Sequence, residues 1–235
     1  QLNEHTLWSG SPNRNDNPEA LALLPRIRQL IFDGRYKEAE ELIGKAVITK
    51  NSHGQMFLPV GNLKLAFKGH ERCTNYYRYL DIERAVAKVS YSIGDVNYTR
   101  EMIASLTDRV IAVRLTASKP GKISFMANFS TAQPNARVIT SSSQELIVEG
   151  STIDHEGVEG KIGFTAISRI KSEGGSVTVN DSALIVNEAN AVTIYISVAT
   201  NFKTYQDLSG NDQKLAKNYL DHHYPVVHGF YYGSV

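Results

Sequence analysis

Side chains equipped for chemistry gather in three places in this chain. The densest is the opening, Gln1-Leu2-Asn3-Glu4-His5-Thr6-Leu7-Trp8-Ser9-Gly10-Ser11-Pro12. It brings an amide, a carboxylate, an imidazole and the only Trp together and closes on Ser-Gly-Ser-Pro turn chemistry. Asn3, Glu4 and Trp8 are residue types that hydrogen-bond and stack on a sugar, and equally types that pin a loop against another domain; composition leaves both readings open. The second place is Asp154-His155-Glu156 with Glu159. Two carboxylates flanking a glycosidic bond, about 6.5–9.5 Å apart for inversion or about 5–5.5 Å for retention, can hydrolyse it. Carboxylates this close in a Gly-rich loop are more simply a solvated turn, and they lack the spaced oxygen ligands of an EF-hand. The third is Tyr76, Tyr77 and Tyr79, either a sugar-stacking platform or aromatic filling of a strand pair and its edge.

Other chemically capable residues read as bystanders. His222, His223 and His228 invite a metal reading, but adjacent imidazoles diverge and no acid or thiol completes a set at ligand spacing. His53 and His70 fall in expected loops and His155 among acids, so all three are expected at the surface. Cys73 is the only cysteine, which excludes an internal disulfide, and it reads as a packed or half-exposed thiol. No Gly-x-Ser-x-Gly elbow and no glycine-rich phosphate loop occurs. The expectation is therefore no catalytic residue, no metal site and no cofactor.

At 235 residues, with 42% hydrophobic and 21% charged, the chain can bury a sizeable core, and large all-β domains reach this length undivided. The formal charge is +1 and the basic residues are scattered, so no nucleic-acid footprint is visible. No run approaches the ~18 apolar residues of a membrane span, so no membrane insertion is expected. The first residue falls in mid-pattern without Met or leader, as expected of a sequence starting inside a longer chain.

The elements that must position these residues change character along the chain. Asn17-Pro18-Glu19-Ala20 predicts a helix start, and Pro25 predicts a break, with one short helix to about Leu23 and a second from Pro25 to Asp33-Gly34. A third helix is expected from Arg35 to about Val47, with Tyr36, Ala39, Ile43 and Ala46 on one face. After the loop Asn51-Ser52-His53-Gly54 the period drops to 2. Strands are expected around 63–67, 85–93, 96–104, 111–115, 123–129, 137–140, 145–149, 161–170, 176–179, 183–186 and 192–198, with a hairpin turn at Gly94-Asp95. Each has one apolar face, which predicts a large antiparallel sandwich with an N-terminal helical insertion at about 17–48. A helix is expected from Asp212 to about Tyr219, followed by a tail, His222–Val235, with neither period.

The runs QLNEHTLWSGSP, DNPEAL, LIFDGRYKEAEELI, LPVGNLKLAF, YLDIERAVAKVSY and VRLTASKPGKISF, in this order and spacing, carry a resemblance over roughly residues 1–220. The chain resembles the N-terminal domain of glycoside hydrolase family 95, the α-L-fucosidases of the 1,2-α-L-fucosidase type, with Bacteroides-like relatives. The resemblance implies a β-super-sandwich over 1–208, the start of a linker helix over 209–221 and an atypical tail over 222–235. It implies an (α/α)6 catalytic barrel in the same parent chain as partner, fucosylated glycans as substrate, inversion, and a periplasmic or cell-surface location. The barrel's Glu acid and its Asp and Asn residues have no counterpart in this sequence, so the domain alone is expected to be inactive. An upstream strand with a Gly-Asn-Gly-Arg-Leu-Gly motif, usual in the family, does not appear before Gln1. The tail departs from the family's amphipathic linker, as a truncated or frame-shifted gene, or one cut short, would produce. The alternative expectation is a free-standing carbohydrate-binding module using Trp8 or the three tyrosines.

Overall fold

The structure is a computed structural model that describes residues 1–47, 49, 54–141 and 144–223. Strand β1 (Leu2–Trp8) is followed by helices α1 (Ala20–Phe32) and α2 (Tyr36–Ala46). Twelve strands then run in sequence: β2 (Phe57–Ala66), β3 (Thr74–Asp81), β4 (Val86–Ile93), β5 (Val96–Ser105), β6 (Val110–Ala117) and β7 (Ile123–Ser130), then β8 (Arg137–Ser141), β9 (Glu145–Ser151), β10 (Gly163–Glu173), β11 (Ser176–Asn180), β12 (Ala183–Ala189) and β13 (Ala191–Thr200). Helix α3 (Asp212–His223) ends the described chain. The expected loop at 51–53, including His53, and the tail from 224, including His228, lie outside the described residues.

The strands form two antiparallel sheets, one ordered β1-β2-β7-β12-β11 and the other β3-β4-β5-β6-β13-β10-β9-β8. The alternation read from the sequence is clearest in β7, where Ile123, Phe125, Ala127 and Phe129 are buried and Ser124 and Met126 are exposed. These four meet the inward residues of the larger sheet, among them Leu115, Leu146, Val148, Phe164, Ile170, Val192, Ile194 and Ile196, in one apolar core. Each fully buried Leu, Ile or Phe contributes about 1.5–3 kcal/mol. The expected all-β sandwich is the fold.

The central strands of the larger sheet depart from a one-sided pattern. Val110, Ala112, Ile167, Tyr195 and Ala199 point away from the sandwich and are buried beneath Ala216 and Leu220 of α3. This second layer explains why β13 reads as an almost unbroken apolar run: both of its faces are covered. Polar side chains fix the helix in place. Ser197 Oγ donates to the Ala216 carbonyl (2.7 Å), Thr165 Oγ1 donates to Asp212 (2.6 Å) and Arg109 donates to the Tyr219 hydroxyl (2.7 Å).

Helices α1 and α2 are inserted between β1 and β2, two strands that pair with each other. The break expected at Pro25 does not occur; Pro25 lies within a continuous α1. Proline removes one N–H and crowds the carbonyl four residues earlier, here that of Leu21, whose residue is 81% exposed in the first turn, where water can serve that carbonyl. The helix also starts later than Pro18: Asn17 Oδ1 accepts the Glu19 N–H (3.1 Å), an Asx-type entry ahead of the first turn. At the other end Gly34, at φ +71°, donates its N–H to the Ile31 carbonyl and closes α1 as expected. Two strands escaped the sequence reading. β1 is interrupted by bulges, and most of β3 is exposed on both faces, so neither shows period 2 in hydrophobicity.

Candidate functional site

The opening stretch is a distorted edge strand. Asn3 pairs with Pro59 and Trp8 with Phe57, so six residues of β1 span three of β2 and the excess bulges out. Within the bulge the Glu4 carboxylate accepts both the N–H (2.7 Å) and the hydroxyl (2.5 Å) of Thr6, and lies 3.0 Å from His5 Nδ1. The Thr6 hydroxyl also meets that of Thr200 on β13 (2.5 Å), tying the two sheets together, while Leu7 is wholly buried. Glu4 is thus occupied as a turn-forming acceptor. Asn3 is exposed. Trp8 is 41% exposed, its Nε1–H donates to the His5 carbonyl (2.8 Å), and its ring lies 5.2 Å from that of Phe57, itself exposed beside Met56. The three residues therefore share one edge: Glu4 is turned inward and Asn3 and Trp8 face solvent.

The tyrosines lie on β3, the edge strand of the larger sheet. Tyr77 and Tyr79 share the outer face, with ring centroids 5.7 Å apart and inclined by 39°, and Tyr76, beside a bulge, is exposed separately. The sequence reading missed their polar neighbours. Lys88 lies directly across from Tyr79, and Glu101 directly across from Lys88; the two form an ion pair at 3.1 Å. Their alternation in β4 and β5 was visible, but which of their side chains stand beside Tyr79 depends on cross-strand register. Asp81, which accepts the Arg84 N–H (3.0 Å), closes one end of a shallow depression lined by Tyr79, Lys88, Glu101 and Val86.

Two further clusters resolve as structural. Asp154 accepts the Gly160 N–H (2.8 Å), Glu159 pairs with Lys161 (2.8 Å), and His155 and Val158 exchange backbone hydrogen bonds, which makes the acidic segment a tight turn. His70, expected at the surface, is instead half-buried. Its ring stands edge-on to Tyr91 and Tyr98, and its Nδ1 lies 2.9 Å from the Tyr91 hydroxyl. Arg100 stacks over Phe67 at 4.2 Å and donates to the same hydroxyl (2.9 Å). Burial, and then the Arg100 cation, lower the His70 pKa from its ordinary value, and burial pushes the Tyr91 phenol up. No signal near His70 in the sequence reveals this cage, because its walls come from β4 and β5. Among the described residues, no group of three or more His, Cys, Asp and Glu side chains is placed to hold a metal ion. His222 lies in α3 with Nδ1 2.8 Å from the Asn218 carbonyl.

Residues 1–205 match the family described as glycosyl hydrolase family 65, N-terminal domain. Alpha-L-fucosidase 2 of Arabidopsis thaliana is 31% identical over 226 residues, covering 86% of this chain and 26% of that protein. A probable alpha-fucosidase A of Aspergillus oryzae is 23% identical over 221 residues, 90% of this chain and 30% of that protein. The chain thus spans under a third of the length of these curated relatives. Among solved structures, a putative kojibiose phosphorylase from the human microbiome aligns over 72% of this chain and 26% of its own, with 10% identity and a TM-score of 0.44.

Proposed function

The chain belongs to the family described as glycosyl hydrolase family 65, N-terminal domain, and from that premise we propose that it is the non-catalytic β-sandwich domain of an inverting exo-α-L-fucosidase of glycoside hydrolase family 95. The observation that carries this reading is the 31% identity to a plant alpha-L-fucosidase across 86% of this chain, which accounts for only 26% of that relative. The geometry agrees with a supporting role. Hydrolysis with inversion needs one carboxylic acid to protonate the leaving oxygen and a second group to activate water across the sugar ring. Three of the carboxylates in the two acidic clusters are held by the fold: Glu4 by Thr6, Asp154 by the Gly160 amide and Glu159 by Lys161.

The same proposal names the partner as an (α/α)6 catalytic barrel in one parent chain acting on fucosylated glycans, in the periplasm or at the cell surface. The β1 edge offers such a partner the exposed apolar side chains of Trp8, Met56 and Phe57. Incubating the chain with 2′-fucosyllactose and quantifying free L-fucose tests the reading. No release above the uncatalysed background is expected, and sustained turnover by this chain would overturn the non-catalytic assignment.

A further inference from the structure

We infer that the outer face of β3–β5, at Tyr77, Tyr79, Lys88 and Glu101, is an accessory binding site for a neutral pyranose ring of an oligosaccharide. Helix α3 covers the outer face over β6, β13 and β10 and reaches Ile103 of β5 and Ile147 of β9 at its margins, so the tyrosine end of the same face, on β3 and β4, is open. Tyr77 and Tyr79 are 62% and 43% exposed, and their rings, inclined by 39° to each other, form a shallow aromatic trough. One face of a pyranose is a patch of C–H bonds, which packs on an aromatic face as other apolar surface does. Its rim is a ring of hydroxyls that need both donors and acceptors.

That rim is supplied. The Tyr77 and Tyr79 hydroxyls have no hydrogen-bond partner among the described residues. Beside Tyr79, the Lys88 ammonium keeps donors beyond the one facing Glu101, and the Glu101 carboxylate keeps free lone pairs. Both side chains are 31% exposed, so their positions are set by the sheet while their polar ends reach solvent. The pair is electrically neutral, which suits an uncharged polyol over a phosphate or an acidic peptide. A charged pair at the centre of the patch is also poorly suited to a protein interface, whose core is depleted of Lys and Glu.

The glycan-acting reading above bears on this inference only through the choice of probes. Titration of 2′-fucosyllactose, lactose and free L-fucose into the whole chain, followed by saturation-transfer NMR, is expected to show saturable binding of at least one sugar with Kd on the order of 1 mM. Tyr79→Ala and Glu101→Gln should each weaken that binding about tenfold, and Tyr79→Phe, which keeps the ring, should stay within about twofold. Absence of binding of all three sugars up to about 10 mM, or binding indifferent to Tyr79→Ala, would overturn the site. That failure leaves the non-catalytic reading intact, because fucose release is judged separately. Turnover would likewise sink that reading without touching the tyrosine trough.

Discussion

His70 illustrates how far a single residue's chemistry is decided by neighbours distant in sequence. Enclosed by Phe67, Tyr91 and Tyr98 and close to Arg100, it is stable as the neutral imidazole. In the unfolded chain the same imidazole takes up a proton as pH falls through about 6.5, while the folded form stays neutral to lower pH. The unfolded state then binds more protons. Stability contributed by His70 is therefore complete above about pH 6.5 and declines as pH falls toward the lowered folded value. The exposed carboxylates held down by cations, Asp95 by its hydrogen bond to Lys119 and Glu38 by that to Arg35, act in a lower window, below about pH 4. Urea midpoints measured between about pH 7 and pH 5 should fall more steeply for the natural chain than for His70→Asn; parallel profiles would contradict the cage. Tyr76, Tyr77 and Tyr79 read in the sequence as either a sugar-stacking platform or filling of a strand pair and its edge, and all three are exposed on β3. Their pairing with Lys88 and Glu101 was not legible, since it needs the register of three strands.

At the scale of elements, α3 and the start of β9 are joined through charge. Arg169 on β10 lies 2.5 Å from Glu145 on β9 and 2.9 Å from Asp221 on α3, with side chains of Arg169 and Glu145 only 12% and 6% exposed. A buried pair of this type adds little over apolar packing, but removing one partner strands the other charge, at about 3–5 kcal/mol. Arg169→Met should cost about that much in chemical denaturation, and adding Glu145→Leu should recover most of the loss. A double variant no more stable than Arg169→Met alone would show that α3 docking depends on the charges themselves. The helix was visible in the sequence through Leu215, Ala216 and Tyr219; that it covers the outer face of the sheet was not. The pattern shows an apolar stripe but not the surface that receives it. Pro25 shows the opposite error, because a strong local breaker was overridden where the lost hydrogen bond faces water.

Across the whole molecule the two sheets share one core, in which Phe164 of β10 and Phe125 and Phe129 of β7 belong to the same apolar cluster. Neither sheet can keep its inward face dry without the other. Phe164→Ala is expected to destabilise by about 3–5 kcal/mol. Far-ultraviolet dichroism and the fluorescence of Trp8, which reports the β1 edge of the smaller sheet, should lose their native signal together. Separate transitions would mean that the sheets fold as independent layers.

The sequence by itself determined the class of fold and most of its parts: the hairpin at Gly94, the strict alternation of β7, the position of eleven of the twelve strands after α2, and the glycoside hydrolase kinship carried by its motifs. These are legible because period, turn chemistry and capping are local, each set by residues within a few positions of one another. Tertiary structure alone decided that β13 is buried on both faces, that β1 bulges so that Glu4 bonds Thr6 beside an exposed Trp8, and that Lys88 and Glu101 stand next to Tyr79. Each of these depends on which strands are neighbours and in what register, and a shift of one residue would turn every side chain to the opposite face.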